Sequence, residues 1–237
     1  MDAEVLKAAV QEARTAHQPR PGQQDWGVGL PQAYAIQAAL FPGPLKGYKL
    51  GLVSPAKQAQ MGLASPIWGR VHPGMLLEEE VVLARYVQPR LEPELAVVLR
   101  HPLPPGASLG QAARAVGGFF LAVDVLDSIW ADYRFSAAEV VADNTSGGGF
   151  LLGRTLLQAP PRGELRLYLN GELLAQGPVE ALGDPYAQLA WLAGEVGGLE
   201  AGQLIFLGSP APAQPARPGV LEVWSQAGLL LARIKEV

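Results

Sequence analysis

From about residue 74 to its end, the sequence consists of short β-like runs that are separated by turn-forming residues. Two helical segments interrupt these runs, at residues 108–118 and 184–199. Asn170-Gly171 lies between two alternating stretches and predicts a tight β-hairpin, because both residues tolerate the positive φ of such a turn. This pattern predicts a body built mainly of β-strands. The runs are residues 78–87, 93–100, 117–127, 163–177, 203–209, 219–226 and 229–237.

The first third of the sequence is mostly helical instead. Helices are predicted at residues 2–16, 30–41 and 54–63, the last with Ser54 as N-cap and Pro55 at its first position. A short strand is predicted within residues 45–54. The first helix has an apolar face formed by Val5, Leu6, Ala9, Val10 and Ala13. We therefore expect an α+β protein in which a helical N-terminal segment, residues 1–73, packs on a β body, residues 74–237, as one structural unit.

The composition limits the classes of partner. A formal net charge of -4 provides no basic surface for nucleic acid or an anionic membrane. The absence of cysteine excludes disulfides and thiolate metal sites. No run of about 18 apolar residues predicts a membrane span, and the acidic amphipathic start is unlike a signal peptide. We expect a cytoplasmic protein with neither nucleic-acid nor membrane partners.

Two glutamates open an apolar run in PRLEPELAVVL, residues 89–99. In a strand, Glu92 and Glu94 point to the same face, with Cα atoms about 6.5–7 Å apart. Two buried carboxylates at that distance repel each other and lose hydration, whereas a divalent cation such as Mg²⁺, Mn²⁺ or Ca²⁺ would offset both costs. Taken alone, the spacing favours an exposed edge strand with two solvated glutamates, and the metal hypothesis stays open beside it.

Three further stretches carry polar groups in unusual positions. Asp124 interrupts the apolar run FFLAVDVL, where a charge is unusual unless it is paired, caps an element or binds a metal. Asp127, at the end of that run, is typical of a turn. Lys49 lies within GYKLGL, where it either extends to solvent, the interpretation that the position favours, or forms a buried cation beside an oxyanion. The stretch at residues 143–149, DNTSGGG, lacks the pattern of a nucleotide-binding loop and is either a loop beside a ligand or an ordinary turn.

In their order along the chain, seven segments resemble the fumarylacetoacetate hydrolase superfamily, within it the branch of 2-oxopent-4-enoate hydratases and 4-oxalocrotonate decarboxylases. The resemblance covers about residues 33–235. Each segment is moderately specific, and their common order makes the resemblance strong. It implies a twisted mixed β-roll with flanking helices. The segments are residues 47–69, 89–99, 123–128, 140–153, 169–177, 183–193 and 200–209.

The resemblance also implies a metal-dependent lyase that acts on short 2-oxo or 2-hydroxy unsaturated acids. The cation would be Mg²⁺ or Mn²⁺, and the cation and Lys49 together would stabilise the enolate that forms when a distant bond of the substrate breaks. The implied roles are metal ligation by Glu92, Glu94 and Asp124, catalysis by Lys49, Ser146 and Asp143, and substrate binding by Leu50, Asn144, Gly208 and Ser209.

The sequence departs from the family's pattern at three positions. The third metal ligand is usually a glutamate, and here it is Asp124, whose side chain is one methylene shorter. In the family an acidic residue usually follows the segment that matches Trp68-Gly69, and here that acid is absent. His72, nearby, either replaces the acid or is a surface residue. The proline beside His72 favours a surface residue. The arginine of a D-S-R motif is replaced by Ile129. These departures bear on acid–base catalysis.

The resembling segments favour a decarboxylase over a hydratase, because residues 61–69 and 132–144 are nearer the decarboxylase pattern. The expected reaction converts 2-oxo-3-hexenedioate (4-oxalocrotonate) into 2-hydroxypenta-2,4-dienoate in meta-cleavage aromatic catabolism. It needs no activated water, so the missing acid harms it less. The alternatives are a 2-oxopent-4-enoate hydratase and a catalytically weakened homologue that acts as a partner subunit or a binder. We also expect a homo-oligomer and a complex with a partner hydratase.

Overall fold

The computed structural model describes residues 3–237 and contains six α-helices in that range. Asp2, part of the predicted first helix, lies outside it. The capping predicted for the third helix is confirmed, because the Ser54 side chain accepts a hydrogen bond from the backbone N–H of Lys57 and Pro55 follows it. The helices are α1 (Ala3–Ala16), α2 (Leu30–Leu40), α3 (Pro55–Gln60), α4 (Leu109–Ala115), α5 (Ala137–Ala142) and α6 (Pro185–Val196).

An eight-stranded mixed sheet forms the centre of the molecule. Its order is β2-β1-β10-β5-β6-β7-β3, and β11 also pairs with β5. The long strand β5 is therefore interior, with antiparallel partners β10 and β6 on its two sides. The strands are β1 (Gly47–Gly51), β2 (Ile67–Val71), β3 (Leu76–Leu77), β5 (Pro89–Leu99), β6 (Val116–Asp127), β7 (Gly147–Leu152), β10 (Leu204–Phe206) and β11 (Gln214–Pro215).

A second sheet has five strands in the order β4-β13-β12-β8-β9. The predicted hairpin at Asn170-Gly171 joins β8 to β9, and both turn residues have positive φ. The predicted α+β class is confirmed. The strands of this sheet are β4 (Glu80–Val82), β8 (Glu164–Leu169), β9 (Glu172–Pro178), β12 (Gly219–Ser225) and β13 (Gly228–Lys235).

The main core lies between the two sheets, with α4 and α6 packed against it. Strand β5 directs Leu91, Leu95 and Val97 into this core, so the side chains that alternate with them face the opposite side of the sheet. A second core cluster joins α1, α2 and α5 through Trp26 and Trp130. The helices thus cover the end of the sheet where β5 begins and β6 ends.

Several elements differ from the sequence-based expectation. Val5 was expected on the buried face of α1 and is 45 % exposed, whereas Leu6, Ala9, Val10 and Ala13 are buried. In the run 78–87 only Glu80–Val82 form a strand. Five of the α-helices and β-strands were not predicted, and they are β2, β3, α5, β7 and β11.

The first 73 residues contribute more than helices, because β1 and β2 form one edge of the large sheet. The division of the chain at residue 73 stays a prediction. Among the described residues no helix is long and apolar enough to cross a membrane.

Candidate metal centre and active site

Three carboxylates converge on the face of β5 and β6 that lies opposite the main core. Glu92 and Asp124 are directly paired in the antiparallel ladder, and Glu94 follows two positions along β5. One carboxylate oxygen from each residue lies within 4.8 Å of the others. Glu94 and Asp124 are fully buried, and Glu92 is half-buried. The structure thus brings the three predicted metal ligands together, and the alternative of a solvated edge strand is wrong because β5 is interior.

Within the described part of the chain, several oxygens of these carboxylates lack a hydrogen-bond donor that would compensate their burial. Among the described residues, both oxygens of Glu94 and Oδ1 of Asp124 are buried without a hydrogen-bond partner. Such orphaned oxygens are costly unless a cation neutralises them. An all-oxygen set of this kind suits Mg²⁺, Mn²⁺ or Ca²⁺. The residues present therefore fit a divalent cation.

Burial also shifts the proton affinities of the three acids. It raises the pKa of Glu92 to about 7, against the opposing positive charges of Lys57 and Lys49. Burial raises the pKa of Glu94 well above its ordinary value, and the charge of Asp124 adds to the effect. Burial likewise raises the pKa of Asp124, although the adjacent Lys49 opposes the shift. Protons therefore compete with a metal ion for this site.

Lys49 is a buried cation and does not extend to solvent, so the favoured sequence interpretation is wrong. Its Nζ atom lies 2.9 Å from Asp124 Oδ2 and donates a hydrogen bond of 2.9 Å to the Thr145 carbonyl. Burial opposes its charge, but the carboxylates of Asp124, Glu94 and Glu92 raise its pKa above the ordinary value. Lys49 thus stays protonated at the edge of the carboxylate cluster.

A tight turn at Asn144, Thr145 and Ser146 completes this side of the site. All three residues have positive φ, which is unfavourable for non-glycine residues and needs support from contacts. The Asn144 side chain exchanges two hydrogen bonds with the backbone of Arg70, and Thr145 Oγ1 donates to the Trp68 carbonyl. Ser146 Oγ is buried without a hydrogen-bond partner among the described residues. Of the turn's side chains, Ser146 therefore keeps its hydrogen-bonding capacity available.

Asp143 is committed to a different set of contacts. Its Oδ1 accepts a hydrogen bond of 2.9 Å from Arg14 Nε and lies 2.7 Å from Arg14 Nη2 in an ion pair, and its Oδ2 accepts from the Ile129 N–H. Arg14 also donates to Asp127, with Nη1 2.6 Å from Oδ2. These contacts anchor the segment that carries the 144–146 turn, while the catalytic role expected of Asp143 stays a prediction.

The remaining predicted substrate positions are placed mainly by the backbone. Leu50 is buried in β1 and paired with Trp68 of β2. Gly208 has φ +94°, and a Cβ atom there would lie 2.8 Å from Val53. Ser209 Oγ both donates to and accepts from the backbone of Ala211. None of these contacts tests substrate binding, so those roles stay predictions.

His72 and Ile129 occupy positions where the sequence departs from the pattern of the family that it resembles. His72 Nδ1 lies 2.9 Å from the Pro44 carbonyl, whereas its Nε2 is buried without a partner among the described residues. Ile129 is fully buried in the helical core cluster. Ile129 thus has a packing role that its apolar side chain explains.

Sequence reasoning missed two residues that shape the site, Thr145 and Arg14. Thr145 acts through its carbonyl oxygen, which any residue type would supply, so no side-chain pattern could have revealed it. Arg14 reaches Asp127 from 113 residues earlier in the chain. A buried aspartate signals that a cation is needed, but no local pattern identifies so distant a partner.

Comparison with known proteins places this site in a family. Residues 62–230 match the model of the fumarylacetoacetate (FAA) hydrolase C-terminal family. A 4-oxalocrotonate decarboxylase of Pseudomonas sp is 38% identical over 73% of this chain and 72% of its own length. A 2-keto-4-pentenoate hydratase of Paraburkholderia phymatum is 33% identical over 76% of each chain.

A solved structure shares nearly the whole fold. The 4-oxalocrotonate decarboxylase from Pseudomonas putida G7, complexed with magnesium and adipate, superposes with a TM-score of 0.88 at 28% identity. The match covers 98% of this chain and 97% of that one. The same decarboxylase has also been solved with calcium and acetate. From the family match and the shared architecture, the chain belongs to the fumarylacetoacetate hydrolase family.

Proposed function

We propose that this protein is a divalent-metal-dependent lyase that decarboxylates 2-oxo-3-hexenedioate to 2-hydroxypenta-2,4-dienoate. The observation that carries the proposal is the buried set of Glu92, Glu94 and Asp124 with Lys49 against one of its members. Relatives named as 4-oxalocrotonate decarboxylases support the choice of reaction, one of them over nearly the whole fold.

The substrate has a 2-oxo acid at one end and a second carboxylate at the other. A cation held by Glu92, Glu94 and Asp124 would supply Lewis acidity toward the oxygens of the 2-oxo acid. As the bond to the far carboxylate breaks, its electron pair moves through the alkene and negative charge develops on the 2-oxo oxygen. Carbon dioxide leaves with no water added, and the dienolate oxygen then takes a proton from solvent to give the 2-hydroxydienoate. The bond-breaking step therefore needs a fixed positive charge more than a base.

Lys49 supplies such a charge from the protein. It is held between Asp124 and the Thr145 carbonyl, so its ammonium is oriented before substrate binds. A preorganised cation in a site shielded from water stabilises developing negative charge without reorganising first. The Ser146 hydroxyl, which has no protein partner in the described residues, is available to hydrogen-bond the substrate.

A hydratase is the second candidate, because a 2-keto-4-pentenoate hydratase matches this chain at 33% identity over 76% of each chain. Incubating the magnesium-loaded protein with 2-oxo-3-hexenedioate and, separately, with 2-hydroxypenta-2,4-dienoate, while following ultraviolet absorbance, separates the possibilities. We expect consumption of the first. Consumption of the second alone would make the protein a hydratase, and turnover of neither with the cation bound would identify a weakened partner subunit or binder.

The metal site has its own test. Replacing Glu92→Gln together with Glu94→Gln removes two negative ligands, and we expect Mg²⁺ affinity to fall by at least about 100-fold in isothermal titration calorimetry. The matched control is Glu78→Gln with Glu79→Gln, which makes the same charge change at exposed positions. Full affinity in the Glu92 and Glu94 variant, with its fold intact by circular dichroism, would exclude this site.

We further propose that the protein is cytoplasmic, forms a homo-oligomer and also forms a complex with a partner hydratase. Support for self-association comes from apolar side chains on the outer face of the small sheet, where Val220, Trp224, Leu229 and Leu231 are all exposed. Sedimentation equilibrium of the isolated protein would test it, and a monomer at micromolar concentration would contradict it.

A further inference from the structure

Arg90 lies on the same strand face as the metal ligands. In β5, Leu91 and Leu95 point into the core, so Arg90, Glu92 and Glu94 alternate onto the opposite face. Two strand positions separate the Cα atoms of Arg90 and Glu92 by about 7 Å. Arg90 is half-buried near the start of β5, whereas Glu94 is fully buried.

The guanidinium of Arg90 is held in place by an aromatic ring. Its Cζ atom lies 4.2 Å from the centroid of the Tyr133 ring, in a cation–π stack. The Tyr133 hydroxyl donates to the Gln88 carbonyl, and the Gln88 side chain accepts from the N–H of Asp132. Arg90 is therefore oriented without the help of a carboxylate.

The loop that carries Tyr133 is strained. Asp132 and Tyr133 are consecutive non-glycine residues with positive φ, at 57° and 61°. Conformations of this kind persist where surrounding contacts fix them, and they cluster at ligand-binding sites. Here the contacts to Gln88 fix the loop, and the result is that the Tyr133 ring lies against Arg90.

Arg90 has no acidic partner within the described residues. None of the ion pairs in residues 3–237 includes it, and its neighbour across the ladder is the apolar Leu126. Arginine favours planar, two-pronged hydrogen bonding to carboxylates, and its stack on Tyr133 leaves the edge of the guanidinium available for it. A half-buried, oriented and unpaired arginine beside a metal site indicates a binding site for an anionic group.

We propose that Arg90, stacked on Tyr133, binds the second carboxylate of a six-carbon dicarboxylic acid whose other end lies at the carboxylate triad. The assignment rests on the proposed function in taking a dicarboxylate as substrate. It makes Arg90 the residue that distinguishes dicarboxylic from monocarboxylic acids of equal length. The five-carbon monocarboxylate product lacks the group that Arg90 binds, so the same contact favours product release.

The kinetic effect of this contact has a definite form. The second carboxylate is the group that leaves as carbon dioxide, so its ion pair with Arg90 is strongest in the ground state and weakens as charge moves away. Losing such a contact raises KM and does not lower kcat. For Arg90→Gln we expect KM for 2-oxo-3-hexenedioate to rise about 10- to 100-fold, with kcat equal to or above that of wild type. A residue with a purely structural role would lower kcat as well.

A binding experiment tests the proposal without relying on turnover. Adipate and hexanoate have the same six-carbon chain and differ by one carboxylate. Isothermal titration calorimetry of the magnesium-loaded protein should show adipate bound at least about tenfold more tightly than hexanoate. In Arg90→Gln we expect that ratio to fall to near one while hexanoate affinity is unchanged, and in Arg90→Lys to recover in part.

The controls address folding and the other nearby cation. Lys57, on α3, acts electrostatically on Glu92, so Lys57→Gln is the matched variant, and we expect it to keep the adipate preference. Should Arg90→Gln fail to fold, Tyr133→Leu removes the stacked ring and should lower the ratio in its place. An adipate preference that is absent from wild type, kept in Arg90→Gln, or lost in Lys57→Gln instead would overturn the assignment. Failure of turnover with an intact binding result would count against the proposed function alone.

Discussion

At the scale of single residues, charges that share one strand face could be predicted from spacing. The groups that neutralise or hydrogen-bond those charges could not. The alternation of a strand puts Glu92 and Glu94 on one side. It does not show that Lys49 on β1, three places from β6 in the sheet, lies 2.9 Å from Asp124. Nor does it show that Asp143 uses both carboxylate oxygens for Arg14 and a backbone N–H. Such pairings depend on contacts distant in sequence.

A substitution at Lys49 separates catalysis from metal binding. Lys49→Met removes the oriented cation, and we expect kcat to fall by about 10²–10³. Mg²⁺ affinity should be unchanged or higher, because the ammonium competes with a cation for Asp124 Oδ2. Calorimetry and steady-state kinetics on one preparation measure both. Lost Mg²⁺ binding, or retained kcat, would show that Lys49 has a structural role only.

At the scale of elements, prediction succeeded where a local signal decides the structure. The Asn170-Gly171 hairpin is one such case, and so is the capped helix α3. It failed for β7, where three glycines suggested a turn. The glycines instead let a strand pack closely, because a Cβ atom on Gly148 would lie 2.6 Å from the Val125 carbonyl. Helix α5 was missed although Ser136 and Glu139 form a reciprocal capping pair, the usual signal of a helix start.

Helix α1 contacts the residues beside the site through the Arg14 side chain, and the contribution of this contact to stability can be measured. Arg14→Met would leave Asp127 and Asp143 without their shared cation in a buried setting, so we expect the free energy of unfolding to fall by about 3–5 kcal/mol. Arg14→Lys should cost less, because it keeps the charge and loses the forked geometry. Urea denaturation measures each change.

The matched control for α1 is Arg154→Met, at an exposed arginine that pairs with Glu79. Exposed pairs contribute about 1 kcal/mol or less, so this variant should be close to wild type in stability. Equal effects at positions 14 and 154 would mean that the buried network does not hold α1 against the body.

At the scale of the whole molecule, folding and metal binding share one set of buried charges. Folding buries the triad on the face of the large sheet that lies opposite the main core, so its acids lose hydration. The ordered motifs predicted the fold, and they also predicted that Glu92, Glu94 and Asp124 lie together, while their role as metal ligands stays a prediction. The motifs could not predict how the stability depends on pH, because burial sets that dependence.

The metal-free protein should become less stable as pH rises. The pKa of Glu92 is about 7 in the folded protein against an ordinary 4.5, so between those values the folded state holds a proton that the unfolded state has lost. The free energy of unfolding then falls with increasing pH, by on the order of 2 kcal/mol from pH 5 to pH 8. Burial raises the pKa of Asp143 to about 6, which acts in the same direction.

Magnesium should reverse this trend, because it binds the ionised carboxylates. Saturating Mg²⁺ stabilises the folded state by mass action, and more strongly at pH 8 than at pH 6, where protons compete for Glu92. Urea denaturation with a chelator or with Mg²⁺, at both pH values, gives the four free energies needed. The Glu92→Gln variant should show a weaker pH dependence without metal. A chelated protein that is most stable at pH 8, or an equal Mg²⁺ increment at both values, would contradict the coupling of folding, protons and cation at this triad.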